Sequence, residues 1–360
     1  MKYFEKYTSN TCAGTSNQSY FTNGNGTGRI HYKVFSGGRY GYSFLFTNII
    51  DSTFADGTHS HANLVCDEWE ITAARVGICK KFEYKEQFND NNDMEFKNLT
   101  FGGDLSKNVM PGEYFYTDEI ELDAKKDEYI VIEIDFKGKM IPCHPECIIP
   151  AYIKNNNVWE HSTEIPFPSM VGCNRKINKR VAFIGDSITQ GIGTDVNSYE
   201  HWNARLSKML GDKNSYWNLG IGFGRGADAA TDSTWLYKAK QCDTVVVCFG
   251  VNDILQNYTE ETLKVNLEKI VDYLKKADKK IILQTIPPFD YNEEKTKIWL
   301  AVNEFIQSEL SKKVDYVFDV VPVLSVGGDT PQAAKYGGHP NGEGCAKWAE
   351  ALYENIKEIL

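Results

Sequence analysis

Val181-Ala182-Phe183-Ile184-Gly185-Asp186-Ser187-Ile188-Thr189-Gln190-Gly191 decides the fold of the C-terminal half. Four apolar residues in a row, stopped by Gly-Asp-Ser, form a short buried strand that ends in a turn toward a helix. The residues that follow repeat the theme. Strand candidates at 215–219, 244–249, 280–286 and 316–320 alternate with helical patterns. Trp202, Leu206 and Leu210 share one helical face, as do Leu263, Leu267, Ile270 and Leu274. Trp299, Val302, Phe305 and Ile306 mark a third helix, and Trp348, Ala349, Leu352 and Ile356 a last one. Strands alternating with helices predict an α/β domain with a parallel sheet covered on both faces.

Upstream of about residue 175 the period changes. In Tyr40-Gly41-Tyr42-Ser43-Phe44-Leu45-Phe46 the aromatics fall at every second residue, as on one face of a strand. Ile130, Ile132, Ile134 and Phe136 alternate with Val131, Glu133 and Asp135 in the same way. Further runs lie at 69–79 and 114–122, with turn signals such as Asn23-Gly24-Asn25-Gly26 and Asp56-Gly57 between runs. Short strands with turn punctuation and no helical period predict an all-β sandwich. The expected domains are therefore 1–174, all-β, and 175–360, α/β, with a linker at 166–179. At strand period the N-terminal aromatics read as core rather than as a sugar-stacking platform.

Composition narrows the class. At 360 residues the chain is long for one core, which favours two domains. A net charge of −10 disfavours nucleic acid and anionic membrane surfaces as partners. No run of about 18 apolar residues occurs, and the opening MKYFEKYTSN lacks the apolar core of a signal peptide. Nine cysteines, an odd number scattered along the chain, read as reduced thiols of a cytoplasmic protein. Cys143-His144-Pro145-Glu146-Cys147 lacks a second ligand pair, and His59 and His61 stand alone in a turn-rich stretch. Neither pattern predicts a metal site.

The chemistry gathers at strand ends. A serine just past a strand of an open α/β sheet exposes its hydroxyl where backbone N–H groups of the next turn converge. The plainer reading of Asp186-Ser187 is a helix cap. Three later segments tip the balance. Asn218 through Gly224 follows the second strand and offers a backbone N–H to an oxyanion. Gly250-Val251-Asn252-Asp253 follows the third strand, and Asn252 offers a side-chain N–H to the same oxygen. Gly337-Gly338-His339-Pro340-Asn341 precedes the last helix and brings an imidazole able to take the Ser187 proton. Asp186 reads as a buried turn-stabilising carboxylate, Asp253 as a hydrogen-bonding partner of the active-site loops, and His201 as structural.

These four blocks, in this order, resemble the SGNH/GDSL hydrolases over roughly residues 178–360. The resemblance implies a flavodoxin-like α/β/α domain and ester hydrolysis through an acyl-enzyme on Ser187, with His339 as base. Ser187, Gly224 or Gly222, and Asn252 would form the oxyanion hole, and no metal or organic cofactor is called for. More loosely, Phe46-Thr47-Asn48, Trp69-Glu70-Ile71 and the stretch from Leu99 to Gly112 resemble the β-sandwich, jelly-roll-like, that precedes this domain in carbohydrate esterases of the acetylxylan type. An acylated oligosaccharide is then the expected substrate. A lysophospholipase or general short-chain esterase is the rival enzyme, and a weakened carbohydrate-binding protein the rival of another class. Self-association stays open.

Two departures stand out. The family commonly places an aspartate three residues before the histidine, where this chain has Tyr336. A phenol cannot supply the charge that steadies an imidazolium. Either His339 works in a Ser–His dyad, or another carboxylate such as Asp329 serves it. In the glycine block Phe223 stands where the oxyanion glycine is usual, so either Gly224 takes the role by a one-residue shift or Phe223 donates its N–H.

Overall fold

A computed structural model describes residues 1–52, 61–89 and 94–360. It divides into two compact units. One comprises Met1–Ile50 with Asn63–Lys176, the other Asp51–Ala62 with Ile177–Leu360.

The first unit is β-rich, built from two antiparallel sheets. In the larger, Ser19–Lys33 and Tyr129–Cys143 pair along nearly their whole length, and Trp69–Cys79 adds to the other side of Tyr129–Cys143. Ala151–Asn155, Val158–His161 and Gln87–Asn89 extend the opposite edge. In the smaller sheet Gly38–Thr47 is central, paired with Met170–Cys173 on one side and with Tyr114–Tyr116 and Ile120–Ala124 on the other. The period-two aromatics behave as core. Tyr42, Phe44 and Phe46 are buried, and Phe46 stacks on Phe115 with ring centroids 5.1 Å apart.

Two expectations need correction. The stretch 166–179 is not a simple linker, because Met170–Cys173 is a fully buried strand of the smaller sheet. The chain also does not divide once at 174/175, because the described residues 51, 52, 61 and 62 group with the second unit. Asp51 makes a contact within that unit. Its carboxylate, fully buried, meets the Lys238 ammonium at 2.5 Å. The His59 of the expected His-x-His lies outside the described residues.

The second unit runs β1 (Arg180–Gly185), α1 (Ser187–Gln190), α2 (Trp202–Leu210), β2 (Ser215–Asn218), α3 (Gly226–Ala229), α4 (Thr234–Ala239) and β3 (Thr244–Cys248). It continues through α5 (Val251–Leu255), α6 (Glu260–Lys276), β4 (Lys280–Gln284), α7 (Glu293–Ser308), β5 (Tyr316–Phe318), α8 (Val321–Leu324) and α9 (Gly342–Ile356). All strand pairs are parallel, in the order β2-β1-β3-β4-β5. That is the doubly wound order whose ligand-binding crevice opens at the switch point between the first and third strands. The long helices follow their apolar stripes. In α6, Leu263, Leu267, Ile270 and Leu274 are buried, Thr259 caps the start by accepting the Thr262 N–H, and Lys275 and Lys276 sit in the last turn. β3 is buried along its whole length, as a strand flanked by neighbours on both edges requires.

Candidate active site

Ser187 is the first residue of α1, directly beyond β1. Asp186 caps that helix, its Oδ1 accepting the Ile188 N–H at 3.0 Å. The cap and nucleophile readings of this turn are thus compatible, since the cap fixes the backbone that carries the hydroxyl. Gly185 is required by crowding. A Cβ there would lie 2.4 Å from the Cys248 carbonyl oxygen of β3 and 2.2 Å from Thr189 Oγ1.

His339 arrives from the turn before α9. Asn341 caps that helix by accepting the Gly344 N–H at 3.0 Å, which anchors the turn. Gly193, with φ +99°, lets the loop after α1 approach so closely that a Cβ would sit 2.7 Å from the His339 carbonyl oxygen. Ser187 Oγ lies 2.7 Å from His339 Nε2, within the reach a nucleophile–base pair needs.

The imidazole is steadied by packing, not by charge. The Phe289 ring meets it edge-on, centroids 5.5 Å apart. Burial lowers the His339 pKa below the ordinary imidazole value, and no charged neighbour contributes to that shift. Asp329 is exposed and has no hydrogen bond or ion pair to His339 among the described residues. Tyr336 turns elsewhere. Its ring lies under the Lys335 ammonium at 5.3 Å, and its carbonyl accepts the Asn341 N–H at 3.2 Å. The structure therefore does not bring Asp329 to the histidine as the missing acid.

The two carboxylates of the motifs lie deeper. Burial pushes the Asp186 carboxyl up to about 7, with Asp253 adding repulsion. Asp253 is also fully buried and rises to about 6, although it accepts the N–H groups of Gly226 at 2.8 Å and Ala227 at 3.1 Å. Its bonds tie the start of α3 to α5. Asn252, next to it, donates one Nδ2 hydrogen to the Gly224 carbonyl at 3.0 Å. The other Nδ2 hydrogen has no acceptor among the described residues.

The expected backbone donors of the glycine block need correction. The Gly222 N–H donates to Gln190 Oε1 at 2.6 Å, and the Gly224 N–H donates to the Ile221 carbonyl at 3.0 Å. Both are spent within the protein. Between them Phe223 takes a left-handed conformation, φ +56°, and its N–H has no acceptor among the described residues. The Ser187 N–H, at the start of α1, is likewise without one, as the first amides of a helix are.

Several contributors escaped the sequence reading. Gln190 holds the glycine turn, and its position inside the Gly-Asp-Ser block was a usable signal. Phe289 beside His339 carried none beyond following Pro287-Pro288. His201 is buried, with Nδ1 3.0 Å from Asn203 Oδ1, and burial lowers it to about 3. None of the nine cysteines forms a disulfide bond. No group of three or more metal-ligating side chains occurs among the described residues, and no described helix is long and apolar enough to cross a membrane.

Residues 183–347 match the GDSL-like Lipase/Acylhydrolase family. The match spans all four blocks and supports a GDSL-type hydrolase, consistent with an ester hydrolase. An uncharacterized protein of Mycoplasma pneumoniae is 30% identical over 139 residues, 35% of this chain. The matched stretch spans only 15% of that relative's length. Among solved structures, the chain is similar to a GDSL-like lipase of Bacteroides thetaiotaomicron at 20% identity and TM-score 0.41, covering 51% of this chain and 89% of the other. It is also similar to the psychrotrophic esterase EstA of a Pseudoalteromonas species at 16% identity and TM-score 0.40, covering 51% and 98%.

Proposed function

We propose that this protein is a serine esterase that removes short acyl groups, acetyl first, from acylated oligosaccharides. The observation that carries the reading is the 2.7 Å contact between Ser187 Oγ and His339 Nε2 at the switch point of the sheet. Neutral His339 takes the Ser187 proton as Oγ attacks the ester carbonyl. The developing oxyanion is held by the Ser187 N–H, the Phe223 N–H and the free Nδ2 hydrogen of Asn252. His339 then protonates the leaving alcohol; in the second half-reaction it draws a proton from water that attacks the acyl-enzyme and returns it to Ser187 Oγ as the Oγ–acyl bond breaks and the acid departs. The chemistry uses a Ser–His dyad and calls for no metal or organic cofactor.

The carbohydrate substrate rests on the looser resemblance of the first unit, whose two sheets are read as the β-sandwich of two-domain carbohydrate esterases. The odd, scattered cysteines support a cytoplasmic setting, which suits small oligosaccharides rather than intact polymer. A second reading, a carbohydrate-binding protein with a weakened site, draws on one observation, that no carboxylate among the described residues meets His339. Acetate release from acetylated xylo- and manno-oligosaccharides, measured beside hydrolysis of long-chain esters for wild type and Ser187→Ala, separates these. Turnover of the acetylated sugars that vanishes in Ser187→Ala is expected. Preference for long chains overturns the substrate, and no turnover of any ester by folded wild type overturns the enzyme.

A further inference from the structure

The loop bearing the free Phe223 N–H is held from three sides. Two are local, the Gly222 N–H on Gln190 and Asn252 Nδ2 on the Gly224 carbonyl. The third comes from α4. The Trp235 indole donates to the Leu219 carbonyl at 2.6 Å. A Cβ placed on Gly224 would lie 2.8 Å from Trp235 Cη2, so this ring lies directly against the loop.

What holds α4 is not part of the hydrolase blocks. The Asp51 carboxylate accepts from Thr234 Oγ1 at 3.1 Å and from Lys238 Nζ at 2.5 Å. These residues sit just before and after Trp235 along the same helix. Asp51 and Lys238 are both fully buried. Such a pair is no efficient source of stability, because desolvating two charges offsets most of their attraction. It is a specific source of geometry, because drawing the two apart would give up a contact between fully buried opposite charges. Ser52 forms a second branch. Its Oγ lies 3.3 Å from Asp228 Oδ2, whose carboxylate accepts the Arg225 backbone N–H at 3.2 Å and pairs with the Arg225 guanidinium. The same Ser52 Oγ would be 3.4 Å from a Cβ on Gly224.

We infer that Asp51 and Ser52 are positioning residues for the oxyanion loop, so that the esterase site is completed by a segment lying far upstream of its motifs. The inference rests on the proposed esterase reading and on Phe223 as a donor. An oxyanion donor works only when it meets the developing charge at hydrogen-bond distance, so a small displacement of residues 222–224 lowers the rate without weakening substrate binding.

The test uses the full chain. Ser52→Ala removes one branch. The double variant Asp51→Leu/Lys238→Met removes the other without leaving a lone buried charge. Each is compared with wild type on phenyl acetate, with rates normalised to sites titrated by a fluorophosphonate and Ser187→Ala supplying the background rate. Amide hydrogen exchange across 219–227 is followed in parallel. Expected is a loss in kcat of about 10-fold for the double variant and about 3-fold for Ser52→Ala, with KM within about twofold. Faster exchange of the loop amides accompanies it. A purely structural role lowers the number of titratable sites and leaves kcat per site alone. Wild-type kcat per site and wild-type exchange in the folded variants overturn the inference. If the double variant fails to fold, Ser52→Ala decides on both readouts. Absence of Ser187-dependent turnover in wild type overturns the esterase reading instead, and the exchange comparison then still decides whether this segment holds the loop.

Discussion

The two ends of the proposed dyad are built in opposite ways. Around Ser187 the backbone is pinned by hydrogen bonds: Asp186 caps α1, Gly185 fits only because it lacks a Cβ, and Gln190 grips the neighbouring turn. Around His339 the side chain is held by shape. Phe289 meets the ring edge-on, Gly193 allows the close approach of the facing loop, and Asn341 fastens the turn to α9. Among the described residues a carboxylate sits next to the serine and none beside the histidine. The proposed nucleophile thus sits among polar contacts that also hold the glycine turn, while the proposed base relies on burial, which favours its neutral form.

The largest effect comes from breaking either end. Ser187→Ala and His339→Ala should each lower kcat by about 10⁴-fold or more, and the double variant by little beyond either single one, since the two act as a unit. Steady-state hydrolysis of an activated acetate ester checks this. Losses that multiply would show that the two side chains work independently, contrary to their 2.7 Å contact.

Next in size is the oxyanion side. Asn252→Ala should cost about 10²–10³-fold in kcat, because it removes a donor. It also frees the Gly224 carbonyl that Asn252 now holds at 3.0 Å. Phe223→Gly keeps the N–H and suits the left-handed backbone at φ +56°, so it should stay within about 3-fold of wild type. A collapse of activity in Phe223→Gly with normal folding would mean that the phenyl ring, not the backbone, does the work.

The contrast is sharpened by pH. The base must be neutral, and burial alone places the His339 pKa below 6.5. The rate should therefore be full at neutral pH and fall only once pH drops below the ordinary imidazole range. A carboxylate at Nδ1 would hold the proton and raise that limb. A kcat/KM profile from pH 4.5 to 8 reads this directly, and an acid limb centred at or above 7 would reveal an acid that the dyad lacks. Tyr336→Phe should leave profile and rate within about twofold, because the Tyr336 ring lies under Lys335 and makes no described contact with the imidazole.

How far these features could be read in advance follows the range of the interactions. The alternation of strands and helices after 180 is local, and the helices over Glu260–Lys276, Glu293–Ser308 and Gly342–Ile356 lie where their apolar stripes put them. The meeting of Ser187 and His339 could be anticipated because motif order along a doubly wound sheet translates into place along its edge. The donors in the glycine block could not. Whether Gly222, Phe223 or Gly224 has a free N–H depends on the Gln190 side chain and on the turn that the Ile221 carbonyl closes, and the spacing of the glycines does not reveal either. Nor could Asp51, whose partner Lys238 is a lysine on a short helix like any surface lysine until burial is known. The stretch 166–179 was misjudged for a similar reason. Its Pro and Gly residues read as a linker, yet Met170–Cys173 between them is a strand held by long-range pairing.

The smallest expected effect concerns the carboxylate on the serine side. Asp186 accepts the Ile188 N–H, a bond that asparagine at this position can also accept through its carbonyl oxygen. What asparagine cannot do is ionise. Burial first, and the facing Asp253 carboxylate after it, raise Asp186 to about 7 in the folded protein, against the 3.8 expected when exposed. Tyr291 and the Cys248 thiol lie within reach of that charge, and both are pushed up by burial first and by Asp186 after it. A carboxyl with a raised folded pKa binds its proton more tightly in the native state. That stability is fully present below about pH 3.8 and is lost as pH rises through about 7. Asp186→Asn escapes the loss. Its Tm relative to wild type should therefore climb between pH 5 and pH 8, by about 3 °C or more. Thermal unfolding at the two pH values measures the change, with the Ser187 titre confirming that the turn is intact. If the Tm gap is the same at both, Asp186 is already ionised at pH 5, and the Asp186 carboxylate is then steadied by its hydrogen bonds as firmly as the rest of the nucleophile turn.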